Sequence, residues 1–266
     1  MKSKEFKHTV WKYFRDNKRD LPWRKTTDPY HILVSEMMLQ QTQVQRVMIK
    51  YPLFISAFPT FEHLAKAQLK KVLEVWQGMG YNRRALYLHL IAKKIMKKYN
   101  GIVPNDPQSL SSFPGIGSAT AGAILAFAFN KPSVFIETNI RRVYIHHFFH
   151  NKVGIADKEI LQIIEETVDK KNPREWYYAL MDYGAMLGKV GENPNRRSQT
   201  YSIQSKFEGS DRQMRGFILK SLLEGSKKER EILKGVDVDE KKTRKNIKSL
   251  EREGFIKLSG GVYQIM

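Results

Sequence analysis

Phe113-Pro114-Gly115-Ile116-Gly117 runs without a break into Ser118-Ala119-Thr120-Ala121-Gly122-Ala123-Ile124-Leu125-Ala126-Phe127. Glycines at 115 and 117 permit backbone angles that other residues resist and let another molecule come close. Ser118 reads as the cap of a helix, and the Ala- and Ile-rich run behind it favours one. A helix N-terminus preceded by glycines offers N–H groups to phosphate. The stretch therefore reads as a helix–hairpin–helix, a device that grips a nucleic-acid backbone without reading its sequence. For the turn taken alone, an ordinary helix connection is the alternative.

Composition narrows the class. A chain of 266 residues can bury one good core and a second small one. It carries 46 Lys and Arg against 27 Asp and Glu, a formal net charge of +19, which favours a polyanionic partner and salt-dependent binding. It has no cysteine, so it supplies no disulfide, no thiolate nucleophile and no iron–sulfur ligand. No signal peptide and no apolar run of bilayer length is read. The expectation is an intracellular, cytoplasmic or nucleoid-associated, DNA-binding protein with no membrane partner, acting as a monomer.

Along the chain, residues 4–18 place Phe6, Val10, Trp11 and Phe14 at helical spacing, and Leu21-Pro22-Trp23 ends that helix. Asp28 caps the next helix and Pro29 sits in its first turn. Ile32, Leu33, Met37 and Leu39 face a core there, while Glu36, Gln40 and Gln43 share another stripe. That stripe is either a solvated face or a functional one. Residues 61–76 read as one helix closing at Gly78-Met79-Gly80, with Tyr81 on the turn, and residues 83–99 as a basic helix. Pro104 and Pro107 lead into the hairpin; residues 139–149, 157–170 and 173–187 read as helical. Nothing alternates as a strand, so the fold class is all-α to about residue 205.

The C-terminal stretch differs. Arg212–Leu223, Lys227–Lys234 and Asp239–Arg252 read as helices, the last with Lys241, Lys242, Arg244, Lys245 and Lys248. Phe255 to Ile265 reads as two strands about Gly260-Gly261. Three helices and a hairpin are the pattern of a winged helix, contacting either DNA or protein.

Five segments, in order, carry a family resemblance: Leu21-Pro22-Trp23-Arg24, the run from Ser35 to Val44, Gly78-Met79-Gly80-Tyr81, the hairpin with its trailing Glu137-Thr138-Asn139, and the run from Met181 to Met186. Over residues 5 to about 205 the chain resembles the helix–hairpin–helix (HhH-GPD) DNA glycosylases, and among them the adenine DNA glycosylases of the MutY type. The resemblance implies a mainly α, two-lobed glycosylase domain at 1–206, with its hairpin at about 113–118, and a small winged-helix-like domain at 207–266. It implies double-stranded DNA with a mismatched or damaged base as partner. It makes Glu36 the general acid, Gln40 a wedge in the base stack with Gln41 beside it, and Tyr81 a second wedge beside the extruded nucleotide. It gives Pro114, Gly115, Gly117, Ser118 and Thr120 to the DNA backbone, and Arg196 and Arg197 either to phosphate or to a solvated charge run.

Two departures stand out. Many members hold a four-cysteine iron–sulfur cluster in a loop that falls here at 188–204. Its four ligand places are Gly188, Asn195, Ser198 and Gln204. This chain resembles a cluster-free member, with no metal cofactor expected beyond a single monovalent cation at the hairpin carbonyls. The C-terminal domain that senses 8-oxoguanine in many relatives is not what residues 207–266 resemble, which leaves the opposite base open.

Releasing a base from deoxyribose builds positive charge on the sugar, so the site needs an acid for the leaving base and an anion for the cation. Apolar surroundings raise an acid's pKa, and Glu36 lies among Met37, Met38 and Leu39. The family's second carboxylate is an Asp two residues before the place matching Asn139; here it is Glu137. A displacement of roughly 1 Å at such a group costs on the order of a hundredfold in rate. Asn139 would orient that carboxylate and Thr138 cap the following helix; alternatively Glu137 is simply an acid favoured by a helix N-terminus. Strand-cutting members use a Lys that falls at Ala119, so the resemblance implies a monofunctional enzyme. The readings left open are adenine removal opposite guanine or 8-oxoguanine, removal of mismatched thymine or uracil, and a non-catalytic protein that binds damaged DNA.

Overall fold

The computed structural model describes residues 2–235 and 240–266. Asp239, expected to open the last helix, lies outside them. The described residues fold into two compact units. One comprises the chain up to Glu36 together with Pro104–Ile203; the other comprises Met37–Val103 and Gln204–Met266.

In the first unit, α1 (Ser3–Asn17) buries Phe6, Val10 and Phe14. A short 3₁₀ turn at Pro22–Arg24 follows, and α2 (Pro29–Leu39) opens where the Tyr30 N–H donates to Asp28 Oδ1 at 2.7 Å. The second unit takes over with α3 (Val44–Ala57), α4 (Phe61–Lys66), α5 (Leu69–Trp76) and α6 (Arg83–Tyr99). The chain returns to the first unit for α7 (Pro107–Ser111), α8 (Ser118–Phe129), α9 (Thr138–Phe148), α10 (Asp157–Thr167) and α11 (Pro173–Leu187).

The core of the first unit gathers around α8 and α11. Helix α8 is apolar on every side, and Ala121 through Ala128 are all buried. Phe127 stacks on Tyr178 with centroids 4.6 Å apart, and Phe6 meets Trp176 edge-on at 5.9 Å. Gly122 lets the incoming chain lie on α8, since a β-carbon there would sit 2.8 Å from Phe135 Cβ.

The second unit ends with α12 (Asp211–Glu224), α13 (Glu229–Lys234), α14 (Glu240–Arg252) and the hairpin β1 (Ile256–Ser259) and β2 (Val262–Ile265). The strands pair antiparallel with Ile256 opposite Ile265 and Ser259 opposite Val262, about Gly260-Gly261 as expected. Helix α12 packs on α5, α14 and β2.

Several expected boundaries move. Residues 61–76 form two helices, because Ala67 and Gln68 take extended backbone between them. Helix α13 begins at Glu229 because Lys227 pairs with Tyr263 in an antiparallel bridge. Val44–Ala57 is a helix that the sequence reading passed over, and it accommodates Pro52. A single parallel bridge joins Ile155 to Ser198 in the region read as strand-free. Ser118 is the first helical residue of α8 rather than its cap; Gly117 holds that place, with no side-chain cap.

The largest correction concerns the stripe of Glu36, Gln40 and Gln43. Helix α2 stops at Leu39, Gln40 and Gln41 form a turn with Gln41 at φ +53°, and Gln43 is the N-cap of α3. The cause is Arg84. Its guanidinium is buried, and Nη1 donates to the carbonyls of Met37, Met38 and Gln40 at 3.0, 2.7 and 2.6 Å. These are carbonyls that helix propagation would otherwise need, so Arg84 terminates the helix as a cationic C-cap. Its other nitrogen, Nη2, donates to Thr42 Oγ1, Met79 O and Gly80 O. Replacing Arg84 by Met withdraws a donor from six acceptors, of which Gly80 O keeps Trp76 Nε1 and Gln40 O keeps the Thr42 hydroxyl. Arg84→Met is expected to cost at least about 3 kcal/mol in urea unfolding. Arg84→Lys, with no planar fork, is expected to recover less than half of that.

Candidate functional site

Glu137 and Glu36 both lie in the first unit, near enough for the charge of Glu137 to act on Glu36. Glu137 is the N-cap of α9: its Oε1 accepts from the N–H groups of Asn139 and Ile140 at 2.8 and 2.9 Å, and Asn139 Nδ2 approaches Oε2 at 3.4 Å. Glutamate is an unusual cap, being longer than the preferred Asp. The cap expected at Thr138 is therefore taken by its neighbour, and Thr138 lies exposed in the first turn. Burial lifts the Glu137 carboxyl above its usual range, against the pull of those N–H groups and of Arg142 and Arg141.

Glu36 stands near the end of α2, half-buried, after the buried run Ile32 to Ser35. Burial first and the charge of Glu137 second raise its carboxyl, Arg24 pulls it back, and the group ends at about 8. Two neighbouring carboxyls thus differ in kind. Glu137 has fixed donors for its charged form, whereas Glu36 is held as a neutral acid at pH 7.

Three packing features aim this pair. At Gly184 of α11 a β-carbon would lie 2.3 Å from the carbonyl oxygen of Asn139, so α9 sits directly on glycine. At Gly188 a β-carbon would lie 2.6 Å from the Arg142 guanidinium carbon. Arg142 in turn donates to Asn139 Oδ1, Gly184 O and Asn193 Oδ1 at 2.9, 2.6 and 3.1 Å. The third feature joins two segments of the resemblance. Arg24 makes a bidentate pair with buried Asp182, both contacts at 2.8 Å, and lies over the Tyr178 ring. Burial alone would raise Asp182, but Arg24, with Arg19 behind it, holds it below the usual carboxylate range.

The hairpin is a type II turn. Ile116 N–H returns to Phe113 O at 3.2 Å, with Pro114 second and Gly115 third at φ +76°. Gly117 has ordinary extended angles and nothing within 4 Å of a β-carbon, so its smallness answers to no neighbour within the chain. Gly115, Gly117 and Ser118 are exposed; Pro114 and Thr120 are half-buried.

The loop at 188–204 is tied down by polar contacts. Asn195 is buried and Nδ2 donates to Thr138 O at 2.9 Å; Ser198 Oγ accepts from Thr200 N at 3.2 Å. Arg197 donates to the carbonyls of Ile145, Phe149 and His150 at the end of α9, so it is a cationic cap there. This differs from the phosphate contact expected of it. Arg196 is exposed, with Glu192 3.8 Å away. None of the side chains at 188, 195, 198 and 204 is a thiolate, and the loop does not fit an iron–sulfur cluster.

The expected wedges lie in the second unit. Gln40, Gln41 and Tyr81 stand on two turns, and Arg84 binds carbonyls of both turns at once. Gln41 and Tyr81 have φ +53° and +47°, a conformation uncommon for a glutamine and strained for an aromatic residue. Sequence reading missed Arg84, although a signal existed: it shares a helical face with Leu88, Ile91 and Ile95, where a charge has no business unless it is paired.

A helical body with a glycine hairpin, a half-buried neutral acid and a carboxylate capping a helix defines a helix–hairpin–helix repair protein. The chain belongs to the HhH-GPD superfamily of base excision DNA repair proteins, which it matches over residues 34–170. It is 43% identical over 219 residues to the adenine DNA glycosylase of Mycolicibacterium smegmatis, covering 76% of this chain and 75% of that one. It is 37% identical over 179 residues to the adenine DNA glycosylase of Buchnera aphidicola subsp. Baizongia pistaciae, covering 66% of this chain and only 50% of the relative's length. Among solved structures, a thermostable thymine-DNA glycosylase superposes with a TM-score of 0.62 at 28% identity, covering 69% of this chain and 86% of that one.

The raised pKa of Glu36 has a measurable consequence for stability. Below about pH 4.5 the group is protonated in both folded and unfolded chains and contributes nothing. Between there and about pH 8 the unfolded chain ionises while the folded one resists, so stability falls as pH rises. Glu36→Gln removes this penalty. The variant is expected to gain on the parent by on the order of 1–3 kcal/mol between pH 5 and pH 8.5 in paired urea titrations. A constant difference across that range would refute the raised pKa.

Proposed function

We propose that the chain is a monofunctional base-excision DNA glycosylase that hydrolyses the N-glycosidic bond of an adenine opposite guanine or 8-oxoguanine. The observation that carries this reading is Glu36, held neutral at pH 7 beside the helix-capping carboxylate of Glu137. In the reaction Glu36 gives its proton to a ring nitrogen of the departing base as the C1′–N bond breaks, and the bonding electrons leave with the base. The Glu137 carboxylate, oriented by Asn139, faces the sugar cation. Water then adds to C1′ and its proton passes to the Glu36 carboxylate, restoring the acid. Ala119 stands where strand-cutting relatives carry an amine, so the abasic product remains intact.

The rest of the proposal concerns DNA. Residues 114–118 and Thr120 hold the phosphate backbone at the N-terminus of α8, supported by the net charge of +19. Gln40, Gln41 and Tyr81 enter the base stack, supported by the strained backbone at two of them. The enzyme works as a monomer without an iron–sulfur cluster. Residues 207–266 serve as a winged-helix-like module, supported by three helices, the β1–β2 hairpin and the Lys227–Tyr263 bridge. Removal of thymine is the second reading, favoured by the likeness to the thymine-DNA glycosylase. Glu137 in place of Asp favours the non-catalytic reading.

Single-turnover assays on duplexes holding A·8-oxoguanine, A·G, T·G and U·G separate these readings. Release is expected from the adenine duplexes, with strand cleavage only after alkali and no adduct trapped by borohydride. The rate is expected to fall above about pH 8, where Glu36 ionises. Glu36→Gln is expected to lose at least about a hundredfold in rate while still binding DNA. Glu137→Asp keeps a helix cap, so its rate reports the reach of the carboxylate rather than the fold. Release of thymine alone would install the second reading, and no release from any duplex the non-catalytic one.

A further inference from the structure

Tyr81 is held from the C-terminal part of the chain. Its hydroxyl accepts from Arg212 Nη1 at 2.6 Å and from Gln204 Nε2. The Arg212 guanidinium lies 5.2 Å from the ring centroid, and that of Arg84 lies 5.5 Å from it. Arg212 is itself fixed: Nη2 donates to Ser205 O at 2.7 Å, and Arg212 stands in the first turn of α12, which Ser210 caps by accepting from Gln213 N. The same helix makes a second tie. Arg215 donates to both oxygens of Glu253 at 3.0 and 2.7 Å, and Arg83, two residues after Tyr81, donates to the same oxygens at 2.8 and 2.9 Å. Despite its partial burial, Glu253 is kept ionised down to about pH 2 by Arg83, Arg215 and Ser249.

We infer that Arg212 is a positioning residue for Tyr81, so that opening of a base pair depends on the C-terminal segment through one guanidinium. This rests on Tyr81 acting as a wedge. A free tyrosine must give up two torsions before it can enter a base stack, and two cations at the ring with two donors on the hydroxyl remove that freedom in advance. The left-handed backbone of Tyr81 is the cost of presenting the ring, and the contacts from 204 and 212 offset it. Residues 204–266 thereby contribute to the search for the target base in addition to any contact of their own with DNA.

The test is a double-mutant cycle read by 2-aminopurine fluorescence, with the probe placed next to the target adenine opposite 8-oxoguanine. Arg212→Ala and Tyr81→Phe are each expected to reduce the fluorescence rise at least about threefold, while binding of Arg212→Ala to undamaged duplex stays within about twofold. The double variant is expected to be no worse than the worse single one, and Arg212→Lys to restore part of the signal. Independent, multiplying losses would overturn the inference. So would a uniform loss of affinity for all duplexes with the salt slope reduced by about one, which marks a phosphate contact instead. Tyr81→Ala separates the two layers. An intact rise in that variant removes the wedge itself; a lost rise in it, beside an intact one in Arg212→Ala, removes only the role given to Arg212.

Discussion

Helices α9 and α11 touch where nothing larger than glycine fits, and the acidic end of α9 is aimed by that contact. Gly184 admits the Asn139 carbonyl, Gly188 admits the Arg142 guanidinium, and Arg142 then binds across the crossing it occupies. Close packing of this kind has no soft mode: a helix that rests on backbone cannot slide by a side chain's width. The carboxylate at 137 inherits that rigidity through two N–H bonds from the first turn of its helix. An acid on a flexible loop would choose its own position, whereas this one is placed by the helix it caps. Asp182 serves the same end on the neighbouring turn of α11, where it anchors Arg24 and keeps a cation within reach of Glu36.

The helices of the first unit were legible because their apolar positions repeat cleanly and their ends carry Pro, Gly or Asp. Residues 173–187 fall where periodicity puts them, as do residues 83–99 in the second unit. The hairpin was legible because a turn with Pro second and Gly third has a chemistry of its own. What failed had tertiary causes. No local signal ends α2 at Leu39, since the residue that ends it lies 45 positions further on. The cap at 137 was misjudged because capping preference ranks Thr above Glu, while packing at Gly184 decides which side chain faces the helix end. Arg197 was read by its charge, and its neighbours turned out to be carbonyls.

Strain in the second unit is concentrated on the turns that hold Gln41 and Tyr81 and is offset by arginines rather than by apolar packing. Arg84 spans both turns from beneath, and its guanidinium, though lowered to about 10 by burial, remains fully charged at neutral pH. Two left-handed residues joined by one buried cation behave as a unit, so a change at either turn is felt at the other.

The loop at 188–204 shows how a chain distributes an anchoring task. Asn195 holds Thr138, Asn193 holds Arg142, Arg197 holds the end of α9, and Ile155 pairs with Ser198. The ties land on separate places, three on backbone and one on the Arg142 side chain. A single knot fails all at once; a seam of separate stitches loosens by degrees. Drift in this stretch can therefore proceed one residue at a time, each step costing a fraction of the loop's order.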